Sequence, residues 1–347
     1  MSVRQVIGLF CASRGIPLLG PSGSSAHLRG VADALHRRGD LRIAVATLRD
    51  SRGAHDVAPN VPVIALPPRQ DHRCRNLGAW FEGRALAAHL GAVDLLWERH
   101  APPATGMGIP SRIRVVQLDA PGFERWGRNK AGWSSLEACS LGRADRVIAV
   151  SSWLAEWASR CCQPDRIRVV PNGAEVLDLP SQPEARQRLG VQGPVIGFVG
   201  SSQSWQGIGR LPAILDAFPE AVALVAGPGP KPLHPRLKAL PPLWGADKAA
   251  LYAAVDVLVA PYDNTAPPWL CPLKRVDAAS AGRPLVLSQV GSVTRAERGE
   301  LILPPTAAAE VWAEAIRSLV GTHRPRVHRL WSTTVDEAVG DVLSPPN

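Results

Sequence analysis

Residues 250–288 read ALYAAVDVLVAPYDNTAPPWLCPLKRVDAASAGRPLVLS and pass from helix to buried strand, polar loop, helix start and strand in one short stretch. Apart from Asp256, the run from Val255 to Pro261 is apolar and rich in β-branched residues, as a strand covered on both faces should be. In open α/β sheets ligands bind outside the carboxyl ends of the strands, which is where this run gives way to a loop. Pro272 suits the first position of the following helix, and Cys271 before it is a weak N-cap, so the first amides are left for an external anion. Lys274 then falls in the first turn, where the helix dipole disfavours a cation. Asp277 lies one turn further on, on the same face. Two readings stay open: a phosphate site made of a cation and uncapped amides, or a solvated Lys–Asp pair on an ordinary helix.

Working outward, the first half alternates apolar strand runs with amphipathic helical runs. VIGLFCA (6–12), a helix near 24–38, LRIAVAT (41–47), VPVIALP (61–67), a helix around 77–90, VDLLWER, RVVQLDA and DRVIAVS follow one another, and RIRVVPNGAE (166–175) closes the half. LDLPSQPEARQRLG reads as a Pro-containing connector. The alternation restarts with PVIGFVG (194–200), AVALVAG (221–227), the strand at 255–261 and PLVLS. Repeated βα units imply parallel, doubly wound sheets. The expected fold class is therefore α/β, with two Rossmann-like domains facing a cleft: residues 1–172, then 173–325, with a final helical segment in 326–347 crossing back to cover the first.

The 347 residues suffice for two domains with separate cores. Six cysteines show no CxxC spacing and include the vicinal pair Cys161–Cys162, so neither a zinc site nor a disulfide scaffold is indicated. No apolar run reaches membrane-span length, and no leader pattern precedes the first strand, so a cytoplasmic location is expected. The net charge is +9, carried by arginines with only five lysines. Such an excess favours anionic partners: a nucleotide diphosphate, an anionic acceptor or an acidic membrane surface touched peripherally. Nucleic acid is disfavoured, because the arginines are dispersed and not interleaved with stacking aromatics.

Both halves open alike. The first strand runs into ASRGIPLLGPSGSSAH, whose Gly15, Gly20 and Gly23 match neither GxGxxG nor a Walker A loop. They serve either a tight turn or a close approach of backbone to substrate. His27, on the helix that follows, reads as a packing or capping residue. The second half opens with GFVGSSQSWQGIG, where Gly200, Ser201, Ser202, Gln203 and Gln206 offer neutral donors at the same sheet edge as Lys274 and Asp277.

At this point an ordered set of pieces is on the page: GPSGSSAHLRGVADAL, DLLWERH, RVVQLDAPGFER, ADRVIAVSSWLAEW, RIRVVPNGAE, GFVGSSQSWQGIG, LVAGPGP, LYAAVDVLVAPY and PLKRVDAASAGRPLV. Together they resemble the family 4 retaining glycosyltransferases of the GT-B fold over nearly the whole chain. The resemblance implies a nucleotide-diphosphate sugar, of UDP or GDP type, held by the second domain, and a small-molecule, cell-envelope or lipid-linked acceptor held by the first. It implies sugar transfer with retained anomeric configuration, no catalytic metal and no bound cofactor.

Carried over by position, Asp277 resembles the acidic residue that holds the ribose hydroxyls, with Trp269 eight residues earlier in place of an acid. Ser201 and Gln206 stand where the family has Arg and Lys, so Lys274, Arg275 or Arg210 must neutralise the diphosphate. Pro272, Leu273 and Lys274 open the phosphate-facing helix. Gly245 and Ala246 fall where backbone meets the base, and Gly23 and Ser24 near the sugar and phosphate. Glu98, Arg99, His100 and Asp119 fall on cleft positions, with Asp119 the candidate base. Two rivals are a non-catalytic, nucleotide-sugar-binding or activating subunit, and a nucleotide-sugar epimerase, which would carry acid/base residues in the cleft.

Overall fold

In a computed structural model, the protein is described over residues 4–13, 15–20, 22–46, 61–65, 75–102, 104–122, 130–227 and 233–340. Expectations at Thr47, residues 66–67, Cys74, 123–125, 228–230 and 341–343 lie outside these residues. The chain divides into two compact units, one formed by Met1–Gly20, Ser24–Gly173 and Trp331–Asn347, the other by Pro21–Gly23 and Ala174–Leu330.

The first unit is built on β1 (Val6–Cys11), β2 (Asp40–Val45), β3 (Val63–Ala65), β4 (Val93–Arg99), β5 (Ser111–Leu118), β6 (Arg146–Ala149) and β7 (Ile167–Val169). They form one sheet in the order β3-β2-β1-β4-β5-β6-β7, parallel throughout. Strand alternation distributes side chains between two buried layers. Ile7, Leu9, Leu95 and Trp97 join one cluster, while Phe10 and Leu96 join another. Helices α1 (Gly23–His36), α2 (Arg75–Leu90), α3 (Lys130–Gly142) and α4 (Ser152–Ala158) connect the strands.

The second unit opens with α5 (Gln182–Leu189), where the connector was expected. Ser181 and Glu184 form a capping box, Pro183 sits in the first turn, and Gly190 ends the helix in left-handed geometry. Proline is compatible with a helix start, where its missing N–H costs nothing, so the stretch is a helix. Strands β8 (Val195–Val199), β9 (Val222–Ala226), β10 (Leu237–Leu240), β11 (Val257–Ala260), β12 (Leu285–Ser288) and β13 (Glu300–Leu303) form a second parallel sheet. Its order is β10-β9-β8-β11-β12-β13. Along β11, Leu258 and Ala260 enter one core cluster and Val257 and Val259 the other, which is why the run is apolar without alternation. Val255 still belongs to the end of α7 (Gly245–Ala254), as its C-cap.

Helices α6 (Leu211–Ala217), α8 (Leu273–Ala281) and α9 (Ala309–Leu319) complete the second unit. The last described helix, α10 (Trp331–Val339), buries Val335, Ala338 and Val339 in the core of the first. Among the described residues, no helix is long and apolar enough to cross a membrane.

Candidate active site

Each sheet reverses its direction of growth once, between β1 and β4 in the first unit and between β8 and β11 in the second. Crevices outside carboxyl ends at such points are where doubly wound sheets take ligands. The residues singled out by sequence gather at these two edges.

In the second unit, β8 ends at Val199, and Gly200 leads into a loop carrying the 3-10 turn Ser204–Gln206. Gly207 closes that turn at φ 73°, with its α-carbon so close to the Pro261 carbonyl that a Cβ would overlap it. Trp205 stacks on Tyr262 with centroids 5.9 Å apart, and Asp263 N donates to Trp205 O at 3.1 Å. The loop after β8 is thus fastened to the loop after β11.

Helix α8 starts one residue later than its sequence suggests. Pro272 is the N-cap, at φ −69° and ψ 118°, not the first helical residue, and no side chain caps the helix. A proline has no side-chain acceptor to offer, so the first-turn amides of Leu273 and Lys274 keep the character of an anion site.

Lys274 does not pair with Asp277. Its Nζ donates to Gln206 Oε1 at 2.7 Å, lies 3.4 Å from Tyr262 Oη, and stands 4.6 and 4.8 Å from the Phe198 and Tyr262 ring centroids. A Cβ on residue 200 would come within 2.9 Å of Nζ, so glycine there makes room for the ammonium. Burial lowers the Lys274 pKa from 10.5 to about 7, with no offsetting carboxylate. The other two cations expected here are committed elsewhere. Arg275 donates from Nε and Nη2 to Glu300 and from Nη2 to Arg295 O. Arg210 donates to the Pro305 and Ala307 carbonyls and lies over the Trp312 ring.

Ser201 Oγ accepts from Gln206 Nε2 at 2.9 Å, and Ser202 is exposed. Gly245 and Ala246 open α7, whose N-cap, Trp244, supplies no side-chain bond. Asp277 accepts from Tyr252 Oη at 3.2 Å and lies 3.5 Å from Lys248 Nζ. Sequence reasoning passed over Lys248 and Tyr252, although their i, i+4 spacing marks one face of α7.

Helix α1 opens with Gly23, which groups with the second unit, and Ser24, which belongs to the first. At the end of β4, alternation sends Glu98 and Arg99 to opposite faces. Glu98 is fully buried and accepts from Arg114 Nε and Nη2 at 2.9 and 2.6 Å and from Gly106 N at 2.9 Å. His100 Nε2 meets Glu137 Oε1 at 2.6 Å, and Gly122 N donates to the same oxygen. Arg99 instead reaches Asp119 at 3.0 Å and His27 Nδ1 at 2.5 Å. A guanidinium and an amide nitrogen only donate, so Nδ1 faces a donor in Arg99 and Nε2 faces one in Gln117 Nε2 at 2.7 Å, with Asp119 Oδ1 3.1 Å from Nε2. Burial, opposed by Asp119 and assisted by Arg99, lowers the His27 pKa to about 4. His27 is therefore a buried neutral ring in a polar network with Arg99, Gln117 and Asp119, and not merely a packing residue. Arg114 and Glu137, the counter-ions that bury Glu98 and His100, carried no sequence signal: each lies on a distant element, α3 or mid-β5.

Two parallel α/β sheets, each with its candidate residues at the switch point, define the GT-B class of protein. Residues 21–176 match Glycosyltransferase Family 4 and residues 193–322 match Glycosyl transferases group 1, and the chain belongs to these glycosyltransferases. Its fold is similar to that of a sucrose-phosphate synthase from Thermosynechococcus elongatus, at 19% identity and TM-score 0.69, covering 97% of this chain and 94% of that one. HepE from Anabaena, crystallised with UDP and glucose, is similar at 18% identity and TM-score 0.66, covering 96% and 95%. AviGT4, a glycosyltransferase involved in avilamycin A biosynthesis, is similar at 14% identity and TM-score 0.58, covering 97% and 96%. Among curated proteins, none matches the chain.

Proposed function

We propose that the protein is a metal-independent, retaining glycosyltransferase that moves a sugar from a nucleoside-diphosphate sugar, bound by the second unit, to a small-molecule or cell-envelope acceptor. The observation that carries this reading is Lys274. A half-buried ammonium with no carboxylate partner, beside uncapped amides and a glycine at the sheet's switch point, is short of one anion, and a diphosphate supplies it.

The chemistry follows from where charge develops. Cleaving the glycosyl–phosphate bond leaves positive charge on the sugar and negative charge on the departing diphosphate. Lys274 and the first amides of α8 stabilise the latter without reorganising. The departing phosphate then takes the acceptor's proton, so no second carboxylate is needed. Asp119, paired with Arg99 beside the His27 ring, accepts a hydrogen bond from a substrate hydroxyl and is the candidate base. Asp277 holds the ribose. Pro272 and Leu273 shape the phosphate turn, while Gly200, Ser201, Ser202 and Gln206 line it, with Gly245 and Ala246 toward the base. This reading places the enzyme in the cytoplasm, with peripheral membrane contact if the acceptor is lipid-linked.

The neutral residues Ser201 and Gln206 favour a second reading, a binding or activating subunit without turnover. Calorimetry and thermal shift with UDP, GDP, ADP and dTDP separate the outcomes, UDP first because HepE was crystallised with it. Micromolar binding of one nucleotide, lost in Lys274→Ala/Asp277→Ala, supports the donor site. No binding by any of them sinks it. Donor hydrolysis or transfer by the purified protein then separates enzyme from subunit, and product analysis without acceptor exposes an epimerase.

A further inference from the structure

Asp277 uses its two oxygens unequally. Oδ2 is taken by Tyr252 Oη at 3.2 Å and by Lys248 Nζ at 3.5 Å. Among the described residues Oδ1 has no hydrogen-bond partner, and the side chain is 18% exposed. Lys248 and Tyr252 lie four residues apart on α7 and so reach α8 from one face. Lys248 is itself held in place: its side chain is 13% exposed, Glu175 Oε2 lies 3.3 Å from Nζ, and the Tyr252 ring centroid is 5.9 Å away. Burial works against its charge, but Asp277 and Glu175 outweigh burial and raise its pKa.

Two carboxylates that would otherwise repel are thereby bridged by one ammonium. The two oxygens share one carboxylate plane, so holding Oδ2 also sets where Oδ1 lies. The geometry assigns Lys248 as a positioning residue that clamps Asp277 through Oδ2, leaving Oδ1 to accept a hydrogen bond from a ribose hydroxyl of the donor nucleotide. The assignment rests on the donor site proposed above and adds to it a residue on a different helix. Lys248, held by Glu175, acts through Asp277, whereas Lys274 addresses the phosphates.

A structural role and a positioning role differ in what they do to hydroxyl recognition. The test is calorimetric binding of UDP, GDP and ADP, each compared with its 2′-deoxy counterpart, to the full chain and to Lys248→Met, Lys248→Arg and Asp277→Asn. Wild type is expected to prefer the ribonucleotide about tenfold or more. Lys248→Met should bring that ratio close to one, as should Asp277→Asn, while Lys248→Arg keeps most of it. Lys248→Gln replaces the methionine variant if the latter fails to fold. A variant that binds both members of the pair more weakly but keeps the wild-type ratio overturns the assignment of Lys248 and leaves the donor site standing. A wild type that binds both members equally overturns the ribose role of Asp277 and the Lys248 assignment together, and absence of binding by all of the nucleotides overturns the donor site itself.

Discussion

Lys274 sits where its charge opposes folding and serves binding. With its folded pKa near 7 and an unfolded value of about 10.4, the unfolded chain holds a proton between these values that the folded chain has released. Stability through this group therefore rises with pH across that window, and the full penalty is present below pH 7. Lys274→Met is expected to raise the melting temperature by several degrees at neutral pH, with the gain fading toward pH 10. The same substitution should weaken nucleoside-diphosphate binding about a hundredfold. In wild type, affinity should fall above pH 7, by at most tenfold per unit, because the phosphates then bind an amine that must first take up a proton. Calorimetry from pH 6 to 9 checks this, and a pH-independent affinity identical in wild type and variant would contradict it.

At the scale of elements, the carboxyl edge of the first sheet is held by ion pairs that join strands to α3. Arg114, on β5, ties Glu98 of β4 and donates to Ser140 O at 2.8 Å and Ser140 Oγ at 2.6 Å. Glu98 is fully buried and its Oε1 has no partner among the described residues, so it depends on arginine for compensation. Arg114→Met should destabilise the first unit by about 3–5 kcal/mol, since it leaves a buried carboxylate uncompensated. The double change Arg114→Met/Glu98→Leu should recover much of that loss, a comparison that denaturant unfolding measures directly. Recovery would mean that the Arg114–Glu98 pair is architectural.

For the whole molecule, Lys274, Asp277 and the first amides of α8, on which the proposed donor site rests, lie within the second unit, which has its own pair of core clusters. Arg114→Met should therefore lower the stability of the first unit while leaving the nucleoside-diphosphate affinity within about twofold of wild type, because distant, independent sites contribute additively. A loss of nucleotide binding in this variant would show that donor recognition draws on the first unit.

The sequence by itself determined the class of fold and the sheet edges on which the candidate residues lie. Apolar runs such as Val257–Ala260 and the loops after them are local patterns, set by strand period and by burial on both faces. It also marked Lys274 and Asp277, because a cation in the first turn of an uncapped helix is a local anomaly. Tertiary structure alone decided what those residues touch. Lys274 turns to Gln206, 68 residues away in sequence, and Asp277 turns to Tyr252 and Lys248 on another helix. Glu98 is buried against Arg114, and His27 becomes the neutral partner of Asp119. Helix α5 was hidden by its proline, and Pro272 proved to be a cap, because boundary positions depend on backbone geometry that residue type alone underdetermines. Pairings of this kind depend on which strands and helices the topology brings together, and that information is carried by the packed chain rather than by any one stretch of it.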